Sequence, residues 1–131
     1  MKSFLFVCIE NANRSQMAEA FARMIGGDEV HAISAGSKPS GKINPKAISS
    51  MNELGYDLSR HDSKSLDEIP DIVFDYVITM GCGDACPWVP AHHRDDWAIP
   101  DPREMNEDDF RKVRDLIRSK VEHLMATSLS Q

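Results

Sequence analysis

Apolar residues along this chain gather alternately into short continuous runs and into helical spacings. Phe4 to Val7 is an unbroken apolar run, which predicts a buried strand over Ser3–Val7. Met17, Ala18, Phe21, Ala22 and Ile25 recur three and four positions apart, predicting a helix from about Ser15 to Ile25 that stops at Gly26-Gly27. Val30–Ala35 reads as a second strand, ended by Gly36. A loop rich in Ser, Gly, Lys and Pro follows. Asn44-Pro45 then supplies an N-cap and a first helical position for a second helix ending near Leu54-Gly55. Residues 57–67 are polar and without clear period, with a short helical turn expected before Pro70. Tyr76–Met80 predicts a third strand, closed by Gly81-Cys82-Gly83. Pro87 and Pro90 argue against regular structure over Asp84–Asp95, and Trp97–Ile99 reads as a short fourth strand ended by Pro100-Asp101-Pro102. A last helix begins at Asn106 or Asp108 and runs to about Ala126, its apolar face formed by Phe110, Val113, Leu116, Ile117, Val121, Leu124 and Met125.

Alternating strands and helices predict an α/β fold: a single three-layer α/β/α domain, residues 1–131, around a four-stranded, mostly parallel sheet covered on both faces. In such a sheet the loops at the strands' C-terminal ends meet in one crevice. Those loops carry Cys8–Ser15, Ser34-Ala35-Gly36, the Gly81–Cys86 segment and Asp101-Pro102.

Charge narrows the partners. A net charge of −6 argues against nucleic acid and against an anionic membrane surface, and it requires any anion site to be built from local dipoles. No signal peptide and no stretch of transmembrane length are apparent. Three cysteines without a signal point to reduced thiols in a cytoplasm, and the chain is expected to be a monomer with no metal and no tightly bound cofactor.

The strongest chemical signal lies between the first strand and the first helix, where Cys8 and Arg14 bracket five residues. A loop running from a strand into a helix N-terminus aims backbone N–H groups and the positive helix end at one point, a nest for a tetrahedral oxyanion. Ile9, Glu10, Asn11, Ala12, Asn13, Arg14 and Ser15 would form that nest. Arg14 adds a guanidinium fork, and the same positive field favours a thiolate over a thiol at Cys8. Asp101, fixed between two prolines, can hand a proton to a departing oxygen. Asn11 suits a loop-shaping role because it tolerates left-handed backbone. Ser15 can cap the helix and donate to Cys8, and Ser34 either supports the site or bonds to backbone. Cys82 and Cys86 allow three readings: a disulfide relay, zinc ligation with His92 and His93 at a spacing unlike common zinc sites, or inert core thiols. His61, His92 and His93 read as exposed loop residues, and Trp88 and Trp97 as packing over the cysteine segment.

The stretches at 8–19 (Cys-Ile-Glu-Asn-Ala-Asn-Arg-Ser-Gln-Met-Ala-Glu), 34–36 (Ser-Ala-Gly), 81–87 (Gly-Cys-Gly-Asp-Ala-Cys-Pro) and 97–102 (Trp-Ala-Ile-Pro-Asp-Pro) resemble the arsenate reductases built on the low-molecular-weight tyrosine phosphatase fold. The resemblance spans essentially the whole chain. It implies that Cys8 attacks arsenate held by the loop and Arg14 while Asp101 protonates the leaving hydroxide. It further implies that Cys82 and then Cys86 carry the disulfide outward to thioredoxin. Phosphate and sulfate would compete for the loop. Two departures stand out: Asn13 occupies the place of a second loop cysteine common in the family, and Cys82 and Cys86 lie closer together than usual in thioredoxin-coupled members. A glutaredoxin-like protein or a small thiol is therefore a second class of donor. Some members bind potassium through residues matched here by Asn11, Glu19 and Ser34, but Lys64 stands where the family's aspartate would be. Its ammonium is expected to replace the cation. The alternative activity is a tyrosine or small-molecule phosphatase working through a Cys8 phosphocysteine. Against it, Arg103-Glu104-Met105 follows Pro102 where phosphatases of this fold carry aromatic residues.

Overall fold

The computed structural model describes residues 1–81 and 88–129. Among the described residues seven strands and α-helices follow in order: β1 (Lys2–Cys8), α1 (Arg14–Gly26), β2 (Val30–Gly36), α2 (Pro45–Asn52), β3 (Phe74–Thr79), β4 (Ala91–Asp96) and α3 (Glu107–Ser128). The four strands form one sheet in the order β2-β1-β3-β4, and every pairing is parallel. Val7 lies opposite both Ala35 and Thr79, so the C-terminal ends of β2, β1 and β3 are level.

The unbroken apolar run of β1 follows from its central place, because a strand buried on both faces has no solvent side to mark with polar residues. Phe4, Phe6 and Cys8 point into one core, Leu5 and Val7 into the other. The first core takes Met17, Phe21, Met51, Phe110, Ile117 and Val121 from the three α-helices. Burying each of these large side chains stabilises the fold by roughly 1.5–3 kcal/mol. The second core joins Leu5, Val7, Ala35, Phe74 and Val77, and Leu66, Ile69 and Val89 pack against it. Both faces are covered, but unevenly. Among the described residues all three α-helices contribute to the first core, while a 3-10 turn at Leu66–Glu68 and its flanks close the other face.

Helix starts follow the local chemistry. The Asn44 side chain accepts from the amide of Lys46 at 2.9 Å, and Asn106 caps α3 by accepting from Asp109 at 2.8 Å. The 3-10 turn before Pro70 opens with a reciprocal pair in which Ser65 and Glu68 satisfy each other's backbone amides.

Two expectations need correction. The fourth strand is Ala91–Asp96 rather than Trp97–Ile99. Its sequence, Ala-His-His-Arg-Asp-Asp, shows no apolar period because it is the edge of the sheet, and all but Ala91 are exposed. Charged side chains on an open edge keep it from pairing with other chains. Pro90 just precedes it, where the missing N–H breaks no ladder bond. Trp97 and Ile99 are buried in the connector instead, Trp97 donating its backbone N–H to Thr79 and tilting its ring against Phe6. Leu116, assigned to the buried face of α3, is 40% exposed, at the rim of the apolar stripe. Among the described residues no helix is long and apolar enough to cross a membrane.

Candidate active site

Strand β1 sits between β2 and β3, so the chain leaves the ends of β1 and β3 in opposite directions across the sheet and a crevice opens between their C-terminal loops. Cys8 is the last residue of β1, and α1 begins at Arg14. The carbonyls of the connecting loop are all tied back from outside. Ser37, Lys38, Ser40 and Asn44 donate backbone N–H groups to the carbonyls of Cys8, Ile9, Glu10 and Ala12. The Gln16 side chain takes the carbonyl of Asn11, and the amide of Met17 takes that of Asn13. A trans peptide is planar, so a carbonyl held outward turns the next N–H inward. The inner edge of the loop is thus lined with donors, the arrangement that binds tetrahedral oxyanions.

Asn11 makes the sharp turn this requires. It is the only non-glycine with positive φ among the described residues, at 51°, and it is fully buried. Its amide N–H donates to Cys8 Sγ at 3.2 Å and its Nδ2 to Ser15 Oγ at 2.8 Å. Its Oδ1 accepts from Gln16 Nε2 at 2.8 Å and from the Lys64 amide at 2.9 Å. Ser15 Oγ lies 2.8 Å from Cys8 Sγ. The expected cap on α1 is not Ser15, which lies within the helix; Asn13 occupies the N-cap position without a side-chain bond. The Ser15 hydroxyl is committed to Cys8 and Asn11 instead. Gly36, paired with Cys8 across the sheet, has to be glycine, since a Cβ there would meet the Ile9 carbonyl oxygen at 2.5 Å.

A pocket of about 200 Å³ opens above Cys8, lined by Cys8, Glu10, Asn13, Arg14, Asp101 and Arg103 among others. The Arg14 guanidinium is fixed by one nitrogen, Nη1, which donates to the carbonyls of Met80 at 2.6 Å and Ile99 at 3.1 Å. Its Nη2 stands 4.0 Å from Asp101 Oδ2. Gly81 lets the chain pass this point: its φ is +84°, and a Cβ would crowd the Ile99 carbonyl. Asp101 is half-exposed. The expected convergence of Cys8, Arg14, Asp101 and the 9–15 loop is therefore present. Cys82 and Cys86 lie outside the described residues.

Behind the loop, Glu19 is 2% exposed and surrounded by donors. Ser34 Oγ donates to its Oε1 at 2.7 Å, with Lys64 Nζ 3.9 Å from the same oxygen. Arg23 reaches its Oε2 at 3.0 Å, and His61 Nδ1 lies 3.3 Å away. Ser34 thus takes the side-chain role rather than the backbone one. One carboxylate already facing two permanent cations has little attraction left for potassium, and Asn11 Oδ1 is occupied by two donors. The residues do not fit a cation site. His61, expected on the surface, is a buried side chain: its Nδ1–H donates to Gln16 Oε1 at 3.0 Å, and its Nε2 bonds to the Tyr56 hydroxyl. Burial pushes its pKa below the usual histidine value, with Glu19 pulling it up and Arg23 and Lys64 pushing it down. Trp88 is 69% exposed, so it does not pack as expected; Arg94 lies over its ring instead. His92 and His93 are exposed on β4.

The family model described as low molecular weight phosphotyrosine protein phosphatase matches residues 3–131. The chain belongs to that family. Within the phosphatase family it is similar to a protein named glutaredoxin arsenate reductase from Synechocystis, 37% identical over 96% of this chain and 98% of that one. It is also similar to arsenate reductase 1 of Staphylococcus epidermidis, 38% identical over 92% of this chain and 93% of that one. A solved arsenate reductase in a phosphate-binding state superposes with a TM-score of 0.87 at 35% identity, covering 97% of this chain and 98% of the other. A thioredoxin-dependent arsenate reductase of Corynebacterium glutamicum matches with a TM-score of 0.80 at 36% identity, covering all of this chain and 64% of that one.

Sequence reasoning assigned no role to two side chains at this phosphatase-family site, Gln16 and Arg103, and placed Glu10 in the loop without its partner. Gln16 ties Asn11 to the carbonyl of Asp62 and to His61, yet as a polar residue in a helix it carries no signal of its own. Arg103 and Glu10 pair at 2.7 Å across 93 residues of sequence, a contact no local pattern announces.

Proposed function

We propose that this chain is an arsenate reductase that uses Cys8 as nucleophile, with thioredoxin, a glutaredoxin-like protein or a small thiol as electron donor, acting as a cytoplasmic monomer without a tightly bound cofactor. The observation that carries the reading is the juxtaposition of Cys8 Sγ, the inward amide edge of the 9–14 loop, Arg14 and Asp101 around one small pocket. Relatives named for arsenate reduction over nearly the whole length support it. Arsenate has the tetrahedral shape and charge the loop suits, and phosphate and sulfate would compete for it.

The Cys8 thiolate, stabilised by Ser15 and the Asn11 amide, attacks arsenic. A sulfur–arsenic bond forms as an arsenic–oxygen bond breaks, and the departing oxygen takes a proton from Asp101 and leaves as water. Cys82, which follows Gly81 in the chain, attacks Cys8 Sγ as a thiolate. A disulfide forms, the sulfur–arsenic electron pair stays on arsenic, and arsenite departs. Cys86 then attacks Cys82, returning Cys8 as a thiolate and leaving a Cys82–Cys86 disulfide for the donor to reduce. Relatives named for glutaredoxin and for thioredoxin support a thiol donor of either class. In this reading the Lys64 ammonium takes the place of the potassium that some family members bind, and rates should be equal in sodium and potassium buffers. Clear potassium activation would overturn that assignment.

The deciding experiment measures arsenite from arsenate with purified protein, thioredoxin, thioredoxin reductase and NADPH, and in parallel with glutaredoxin and glutathione. Multiple turnovers with either donor are expected. Absence of arsenite with every donor, beside brisk aryl phosphate hydrolysis, would make the protein a phosphatase.

A further inference from the structure

Glu10 and Arg103 belong to the two loops that flank the pocket, and both line it. Glu10 sits two residues after the nucleophile, with its carbonyl pinned by the Ser40 amide and the Ser63 hydroxyl. Arg103 sits two residues after Asp101, and its amide donates to Asp101 Oδ1 at 3.1 Å. The Glu10 carboxylate accepts from Arg103 Nη1 at 2.7 Å, joining the anion loop to the acid loop. A carboxylate beside an oxyanion site repels the ligand unless it is neutralised, so this glutamate is explicable only together with its arginine.

We propose that the Glu10–Arg103 pair is a clasp on the pocket's rim that selects free inorganic oxyanions over phosphate monoesters. The inference rests on the Cys8 and Asp101 roles assigned above. In an in-line displacement the leaving group departs opposite the attacking sulfur, toward the group that protonates it. That group is Asp101, and Arg103 is hydrogen-bonded to it. For arsenate the leaving group is a hydroxide, which needs no room outside the pocket. For an aryl ester it is a whole ring, which has to pass between Asp101 and the clasped side chains. Arg103 is 53% exposed and Glu10 32%, so the pair acts at the mouth and not at the floor of the site. Its strength is that of a surface ion pair, enough to bias entry and not to seal it.

The test uses the double variant Glu10→Gln/Arg103→Ala, which removes the pair without baring a carboxylate at the pocket, and Arg103→Lys, with p-nitrophenyl phosphate as the ester and inorganic phosphate as competitive inhibitor. With the ester, a sulfur–phosphorus bond forms at Cys8, the phosphorus–oxygen bond breaks, and p-nitrophenol leaves with the Asp101 proton. The double variant should raise kcat/KM for the ester by about fivefold, the most a half-exposed ion pair supplies, while Ki for inorganic phosphate stays within about twofold. Arg103→Lys, which retains a charge for Glu10, should fall between the double variant and the parent. An unchanged or lower kcat/KM for the ester in the double variant overturns the clasp. A tenfold rise in Ki for phosphate also overturns it, because Arg103 would then be an anion ligand. Neither readout involves arsenate, so a failure of the reductase assay and a failure of the clasp remain distinguishable.

Discussion

Asn11 concentrates more of the site's geometry than any other residue. Its backbone steers the loop and reaches the nucleophile, and its side chain joins Ser15, Gln16 and the Lys64 amide. Asn11→Ala leaves buried partners unsatisfied and places a Cβ-only side chain at positive φ. Losing such bonds costs about 1–3 kcal/mol, so oxyanion affinity should fall roughly tenfold to a hundredfold, read as the Ki of phosphate or arsenate. Cys8→Ser should abolish arsenate reduction and ester hydrolysis together. Cys82→Ser should stop arsenate turnover while sparing ester hydrolysis, and equal loss of both would contradict the relay. Asp101→Asn keeps the shape but withholds the proton, and a loss of about 10²–10⁴ in kcat is expected.

At the scale of elements, the end of β2 is part of the anion site although it contributes no catalytic group. Gly36→Ala would drive a methyl into the Ile9 carbonyl, so the strand and the loop must separate. Phosphate binding should weaken at least tenfold with little change in overall fold by circular dichroism. The turn carrying His61 is a second such support. Because burial holds His61 neutral, the unfolded chain takes up a proton that the folded chain does not as pH falls below about 6.5. Stability is therefore present above that value and lost toward acid. Urea midpoints at pH 7.5 and 5.5 should differ more in the parent than in His61→Gln, and equal differences would remove His61 from the acid response. The same elements explain what could be read from sequence. Cys8, the loop and Arg14 are contiguous, and Asp101 is marked by its two prolines, so chemistry and spacing anticipated that they line one pocket. Strand β4 escaped because an exposed edge has no apolar period. His61 escaped because its polarity suggested solvent, whereas the nearby Tyr56 and the distant Gln16 and Glu19 satisfy it within the fold. The Glu10–Arg103 contact needs the tertiary structure to exist before it can be seen.

For the whole molecule, the pocket couples ligand binding to stability. An anion that binds only the folded chain stabilises it by about 2.7 kcal/mol at a hundred times its Kd, so phosphate and arsenate should raise Tm by several degrees. Chloride at equal ionic strength should not. The parallel sheet makes this coupling global, because ligand-facing groups come from residues 8–15 and 101 while their supports come from residues 16, 36–44, 63–64, 80 and 99.

The grip of Ile99 and Met80 on Arg14 also has a meaning in time. During synthesis the nucleophile and its loop leave the ribosome well ahead of the carbonyls that aim Arg14 and the acid beside them, which come some seventy to ninety positions later. A nascent chain therefore carries an unshaped Cys8 loop until that later stretch emerges. The thiol acquires its specific chemistry only when the Met80 and Ile99 carbonyls have closed on Arg14.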